Sequence, residues 1–286
     1  MMCTMNKEWS LHFKITNWCN LNCAHCCERS NSTQPLNLLS LEKMERYLYE
    51  SAHMPIKPNE LISIGGGEGI TPYLHNLPDY IPNALDIIYK YDFVPTIKTN
   101  GLWGDNKKIR KKILSDIADC AYKSQKLVTL DISVDEFHNN KNSIIKIIND
   151  ILNNERLSFA IRICLVGFNT KKSANALFNL KQELSNKGFY VQNAPNGVWV
   201  DWIISSPNGK MLYVFNDFSN DIYDLGRASE NRVYTTKIKP YKNNYSYCLQ
   251  IDNNDTAMLN YMYREPINNR DLSKVLYSLI NRAEGR

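Results

Sequence analysis

Three thiols crowd one short stretch, Cys19-Asn20-Leu21-Asn22-Cys23-Ala24-His25-Cys26, at spacing C-x3-C-x2-C. Thiolates at this density ask for a metal. A structural zinc site wants four protein ligands, and the fourth candidates, His25 and Cys27, are immediate neighbours of Cys26, so closing a tetrahedron with either strains the loop. A cubane iron-sulfur cluster held by three thiolates instead leaves one iron open to a further ligand. Cys19, Cys23 and Cys26 are therefore the candidate metal ligands.

Other residues with chemical potential fall where strands are expected to end. Gly65-Gly66-Gly67-Glu68 closes a short apolar run; glycines let backbone groups approach a ligand, and Glu68 can oppose an ammonium. Thr99-Asn100-Gly101 is a turn signal. Ser133 and Asp135 share one side of a strand by the period of two. Arg162 interrupts an apolar run and needs an anionic partner if it points inward. Ligands of parallel α/β sheets bind at these strand ends.

The cysteine spacing, with a ring at His25, resembles the signature of the radical S-adenosylmethionine (radical SAM) superfamily. The resemblance implies one 4Fe-4S cluster on Cys19, Cys23 and Cys26, and S-adenosylmethionine on the open iron. One electron from the cluster then cleaves the cofactor to a 5'-deoxyadenosyl radical, which abstracts hydrogen from a substrate. Gly66, Gly67 and Glu68 resemble the family's Gly-Gly-Glu-Pro motif for the methionine amino group, with Gly69 in place of the proline. By the same resemblance Asn100 belongs to a turn beside the cofactor. Ser133 and Asp135 lie near the ribose or the methionine carboxylate, Arg162 is a candidate for that carboxylate, and His25 stacks near adenine.

Leu225-Gly226-Arg227-Ala228 resembles the turn preceding the SPASM/twitch extension of peptide-modifying members, but after residue 205 only Cys248 remains as a thiol. The expectation is an extension without auxiliary clusters. Cys248, like Cys27, is a candidate hydrogen-atom donor to a substrate radical. Cys120 and Cys164 read as small core residues. His12, His53, His75 and His138 show no metal-ligand spacing and read as surface or core, although Glu136 and His138 follow Asp135 closely enough to line the same mouth.

These residues need a scaffold, and the pattern supplies one. Strands are expected at 9–16, 60–64, 93–98, 127–134, 157–166 and 197–204. They alternate with helices at 40–53, 78–91, 105–124, 142–154 and 171–187. Such alternation argues for right-handed βαβ units. The fold class is α/β, a partial (β/α)6 TIM-like barrel over 1–205, with a small α+β extension over 206–286 that contains a hairpin across Asn253-Asn254-Asp255 and a last helix at 271–283. The run Lys107, Lys108, Arg110, Lys111 and Lys112 reads as a solvated helix face.

With 286 residues and 43% hydrophobic content the chain can bury a large core. A formal net charge of +5 is mild and spread out, which argues against nucleic acid as partner. Eight cysteines without a signal peptide favour a reduced cytoplasm over a disulfide framework, and no apolar run is long enough for a membrane. The expected partners are a peptide or amino-acid-derived small molecule and an external one-electron reductant of flavodoxin or ferredoxin type. The chain starts almost at its first strand, so a peptide binds the barrel directly or arrives with a separate recognition protein. The competing readings are a non-catalytic iron-sulfur or zinc-binding regulatory protein, and a radical SAM activase or tRNA-modifying enzyme.

Overall fold

The structure is a computed structural model that describes residues 9–195, 200–220, 228, 230–232, 247–259, 263–268 and 270–284. The strands are β1 (Trp9–Thr16), β2 (Leu61–Gly66), β3 (Val94–Thr99), β4 (Val128–Ser133), β5 (Ile161–Phe168), β6 (Tyr190–Asn193), β7 (Trp202–Ser205), β8 (Met211–Asn220), β9 (Tyr247–Asp252), β10 (Thr256–Leu259) and β11 (Tyr263–Pro266). The helices are α1 (Leu41–Ala52), α2 (Thr71–Leu74), α3 (Tyr80–Lys90), α4 (Lys107–Ser124), α5 (Lys141–Leu152), α6 (Glu155–Ala160), α7 (Lys171–Asn186) and α8 (Leu272–Glu284).

All described strands join one sheet in the order β11-β10-β9-β1-β2-β3-β4-β5-β8-β7-β6. From β9 through β8 every neighbouring pair is parallel. This is the parallel α/β partial barrel that the alternation implies. Two assignments change. The sixth barrel strand is β8, whereas β6 and β7 form an antiparallel flap on its outer edge. Its residues Met211, Tyr213 and Phe215 alternate with Leu212 and Val214, the period a half-buried strand needs. Residues 157–160, expected as strand, close the short helix α6, and β5 begins at Ile161. The hairpin of β9 and β10 and the final helix are as expected. Of the turn Leu225-Gly226-Arg227-Ala228, residues 225–227 lie outside the described residues.

The two faces of β1 show why the sheet folds this way. Trp9, Leu11, Phe13 and Ile15 are buried in the core, while Ser10, His12, Lys14 and Thr16 alternate onto the inner face. The starts of α1 and α4 are fixed by side chains: the Ser40 hydroxyl accepts from Lys43 N at 3.2 Å, and Asn106 Oδ1 accepts from Lys108 N and Ile109 N at 3.1 Å each. In the basic run of α4 one residue departs from the solvated face. Arg110 is buried, with Nε 2.8 Å from Asp150 and a further hydrogen bond to Gly104 O, because it lies on the side of α4 that carries Ile113 and Leu114. No helix among the described residues is long and apolar enough to cross a membrane.

The inner face is polar and holds one histidine in its neutral form. Burial, reinforced by Lys98 and Lys14, holds His12 down at about 3 from 6.5. As pH falls below 6.5 the unfolded chain takes up a proton that the folded protein refuses. The stability contribution is thus complete above 6.5 and lost progressively toward 3, at about 1.4 kcal/mol per pH unit. His12→Gln is expected to flatten the acid limb of stability measured by urea unfolding. Parallel curves for the two proteins would contradict it.

Candidate active site

Thr16 ends β1, and the cysteine loop begins three residues later, at the mouth of the barrel. A cavity of about 170 Å³ there is lined by Cys19, Cys23, His25 and Cys26 from the loop. Gly66, Gly67, Lys98, Thr99, Asn100 and Ser133 join them from the strand ends, and His138 from the loop after β4. The three thiols thus meet the glycine run, the Asn100 turn and Ser133 at one place. All three cysteines are free of disulfides.

The glycine run is required by closeness. Gly67 N donates to Thr16 O at 2.8 Å and Glu68 N to Trp18 O at 3.1 Å, which lashes the end of β2 to the start of the cysteine loop. A Cβ on Gly67 would lie 1.8 Å from Trp18 O. Gly66 has φ of 107°, and its Cβ would meet Thr16 O and Lys14.

Glu68 does not line this cavity. The residue is 2% exposed, and its carboxylate accepts from Thr99 Oγ1 at 2.5 Å, Asn100 N at 2.8 Å and Ile70 N at 3.1 Å. Burial pushes its pKa up, and these three donors pull it back. All three donors belong to protein, so Glu68 ties β2 to the β3 turn. Glu68→Ala strands three buried donors and is expected to cost about 3 kcal/mol, read as a lower urea midpoint of the metal-free protein. An unchanged midpoint would refute the clamp.

The β3 turn is held in turn. Asn100 Nδ2 donates to Asn20 Oδ1 at 2.7 Å and lies 3.9 Å from Cys19 Sγ. Asn140, buried at the start of α5, donates to Asn100 O at 2.5 Å and Ser133 O at 2.6 Å. Neither Asn140 nor its bridge between the two strand ends was signalled by the sequence, where Asn is abundant everywhere.

The loop after β4 carries the feature that sequence reasoning left open. Asp135 Oδ1 accepts from Phe137 N and is paired with His138 Nδ1, each at 2.8 Å, and His138 Nε2 lies 3.7 Å from Cys23 Sγ. Burial opposes charge on His138, but the Asp135 hydrogen bond, with Cys23, outweighs it and pushes the imidazole up to about 10. Burial would likewise raise Asp135, yet the His138 hydrogen bond and charge hold its carboxyl below the usual range. Asp135 therefore stands behind His138 and not in the cavity lining. His25 is packed between Phe137 and Phe168, with ring centroids 4.2 and 4.9 Å away.

Two expected site residues lie elsewhere. Arg162 donates from Nε to Thr129 Oγ1 at 2.9 Å and rests over the Phe215 ring at 5.2 Å. Ser133 pairs with Val166, so Arg162 sits four residues down β5 from the cavity, about 13 Å at strand rise. Cys248 pairs in register with Ser10, at the far end of β1 from the cysteine loop, roughly 20 Å along the strand. Cys164 is half-buried on the inner face, paired in register with Asp131, and is not the core thiol expected; Cys120 is.

The donor set suits an iron-sulfur cluster with three cysteine ligands. Leu21 N donates to Cys19 Sγ at 3.4 Å, Asn100 Nδ2 and His138 Nε2 approach the sulfurs, and the glycine backbone opposite leaves room beside them. In the metal-free protein burial, then the Glu68 charge, pushes the Cys19 thiol up to about 12, so metal must displace its proton.

No family model matches the chain. It is 32% identical over 136 residues to YydG of Bacillus subtilis (strain 168), described as a putative peptide biosynthesis protein; the alignment covers 46% of this chain and 37% of that protein. Among solved structures, SuiB of Streptococcus suis is similar over 96% of this chain and 67% of its own, with TM-score 0.47 and 12% identity. A structure of anSMEcpe with bound AdoMet and a peptide is similar over 66% of this chain and 54% of its own, with TM-score 0.40 and 15% identity.

Proposed function

We propose that the chain is a radical SAM enzyme acting on a peptide. The observation that carries the reading is the convergence of three unbridged thiols with Gly66, Gly67, Asn100 and Ser133 around one cavity at the ends of parallel strands. The description of YydG as a putative peptide biosynthesis protein supports a peptide substrate.

Cys19, Cys23 and Cys26 would hold a 4Fe-4S cluster, which when bound supplies one electron to cleave S-adenosylmethionine to a 5'-deoxyadenosyl radical. The protein's part is positioning. Glu68 fixes the turn that aims Asn100 at the loop, Gly66 and Gly67 border the cavity without side chains to fill it, and the rings about His25 wall one side against water. The polar inner face below, with Lys98, Asp131 and Arg162, is where a hydrophilic peptide segment would lie. An external one-electron reductant, a reduced cytoplasmic setting and a separate peptide-recognition protein belong to the same reading. Cys248 is not carried forward as hydrogen donor, because its register puts it at the far end of the barrel.

The test is anaerobic reconstitution with iron and sulfide, followed by S-adenosylmethionine, a strong reductant and assay of 5'-deoxyadenosine. Protein that binds both cluster and cofactor yet forms none would sink the proposal. A second reading, mononuclear metal binding without turnover, has one observation in its favour: ligand atoms of His25, Asp135 and His138 lie within 4.8 Å of one another beside Cys23. It predicts a colourless protein carrying one zinc.

A further inference from the structure

The cysteine loop is wired to β4 through a side-chain relay that cluster binding alone does not require. Asp135, 5% exposed, is fixed by Phe137 N and accepts the Nδ1 proton of His138, so the opposite ring nitrogen is the one that meets Cys23 Sγ at 3.7 Å. The His138 side chain is less enclosed, 9% exposed against 3% for that of Asp135. A carboxylate-oriented imidazole beside a metal ligand is the arrangement that tunes ligand basicity in metal sites generally.

We propose that His138, oriented by Asp135, is a positioning residue that fixes and polarises the Cys23 sulfur as a metal ligand. With its Nδ1 proton held by Asp135, the ring is turned so that Nε2 faces Cys23 Sγ and can direct an N–H at that sulfur when it serves as a metal ligand. Asp135 balances the charge on the ring, and no electron is exchanged. An N–H directed at a cluster sulfur favours the more negative, reduced state, so the relay raises the reduction potential. The naming of the metal as a cluster rests on the proposed function; the contact to Cys23 does not.

The experiment therefore has two arms, with His138→Ala, His138→Gln and Asp135→Asn beside the wild type. In the metal-free protein, alkylation by iodoacetamide is followed by peptide mass mapping. Cys23 is expected to react severalfold more slowly in His138→Ala and Asp135→Asn, with Cys26 on the same loop unchanged. In the reconstituted protein, potentiometry with detection by electron paramagnetic resonance is expected to show about a tenfold smaller reduced fraction at fixed potential in His138→Ala, equivalent to about 59 mV for a one-electron couple. His138→Gln, which keeps an N–H donor, is expected to recover part of that loss.

If His138→Ala fails to fold, His138→Gln and Asp135→Asn carry both measurements. Unchanged Cys23 alkylation in the His138 variants overturns the proposal, and so does an unchanged midpoint potential in loaded protein. Wild-type protein that shows the Cys23 effect yet never takes up iron and sulfide counts against the radical SAM reading alone.

Discussion

Cys19→Ala, Cys23→Ala and Cys26→Ala are each expected to remove cluster absorbance and lower 5'-deoxyadenosine formation by more than about 100-fold, beyond the effect usual for losing an outer-shell partner. The three sulfurs share one loop and one cavity, so two of them cannot substitute for the third by rearranging. Cys27 is no substitute either; it is exposed and does not line that cavity. Cys27→Ala should retain iron, sulfide and turnover. Equal loss of metal in all four variants would point to a four-ligand zinc site, and full activity in any of the first three would remove the basis of the proposed function. Iron, sulfide and zinc analysis beside the turnover assay separates these outcomes.

Gly67→Ala is expected to be nearly as damaging with no ligand touched. The new Cβ would lie 1.8 Å from Trp18 O and 2.4 Å from Trp18 C, backbone atoms that no rotamer change moves aside. Relief means pulling β2 away from the loop, which breaks the bonds from Gly67 N to Thr16 O and from Glu68 N to Trp18 O. Overpacking of this kind costs about 1–3 kcal/mol and occasionally more. Here the upper end is expected, with iron content well below that of the wild type. Gly65→Ala is the control: its Cβ would meet His12 Cε1 at 2.9 Å and Lys98 Cβ at 3.1 Å, side-chain atoms and not the backbone of the cysteine loop. Full iron loading and an unchanged melting temperature in Gly67→Ala would show that the close approach is not needed.

What could be read from the chain divides along physical lines. The alternation of strands and helices was legible because burial against a core imposes a period. The cysteine loop stood out because three thiols at one short spacing are a pattern that metal ligation would impose, and the fold brings them to one cavity. Period two placed Ser133 and Asp135 on one side of β4, but Ser133 reaches the cavity while Asp135, beyond the strand end at Ser133, turns toward Phe137 N and His138. Glu68 carried the right motif, yet a motif does not say which donors a carboxylate will find first, and here they were the backbone of Ile70 and Asn100. Arg162 and Cys248 were misplaced because depth along a strand depends on pairing register. The sixth barrel strand was assigned to 197–204 because β6 and β7, short and antiparallel, occupy the place in the chain where the next barrel strand was due.

The pairing of β9 with β1 ties the metal loop to a segment near the other end of the chain. While that segment is still inside the ribosome, Trp9–Thr16 is a bare outermost strand, open to mispairing with other nascent chains. The residues lining the cavity run only from Cys19 to His138, yet the strand leading into them gains its second neighbour only once translation has passed Asp252.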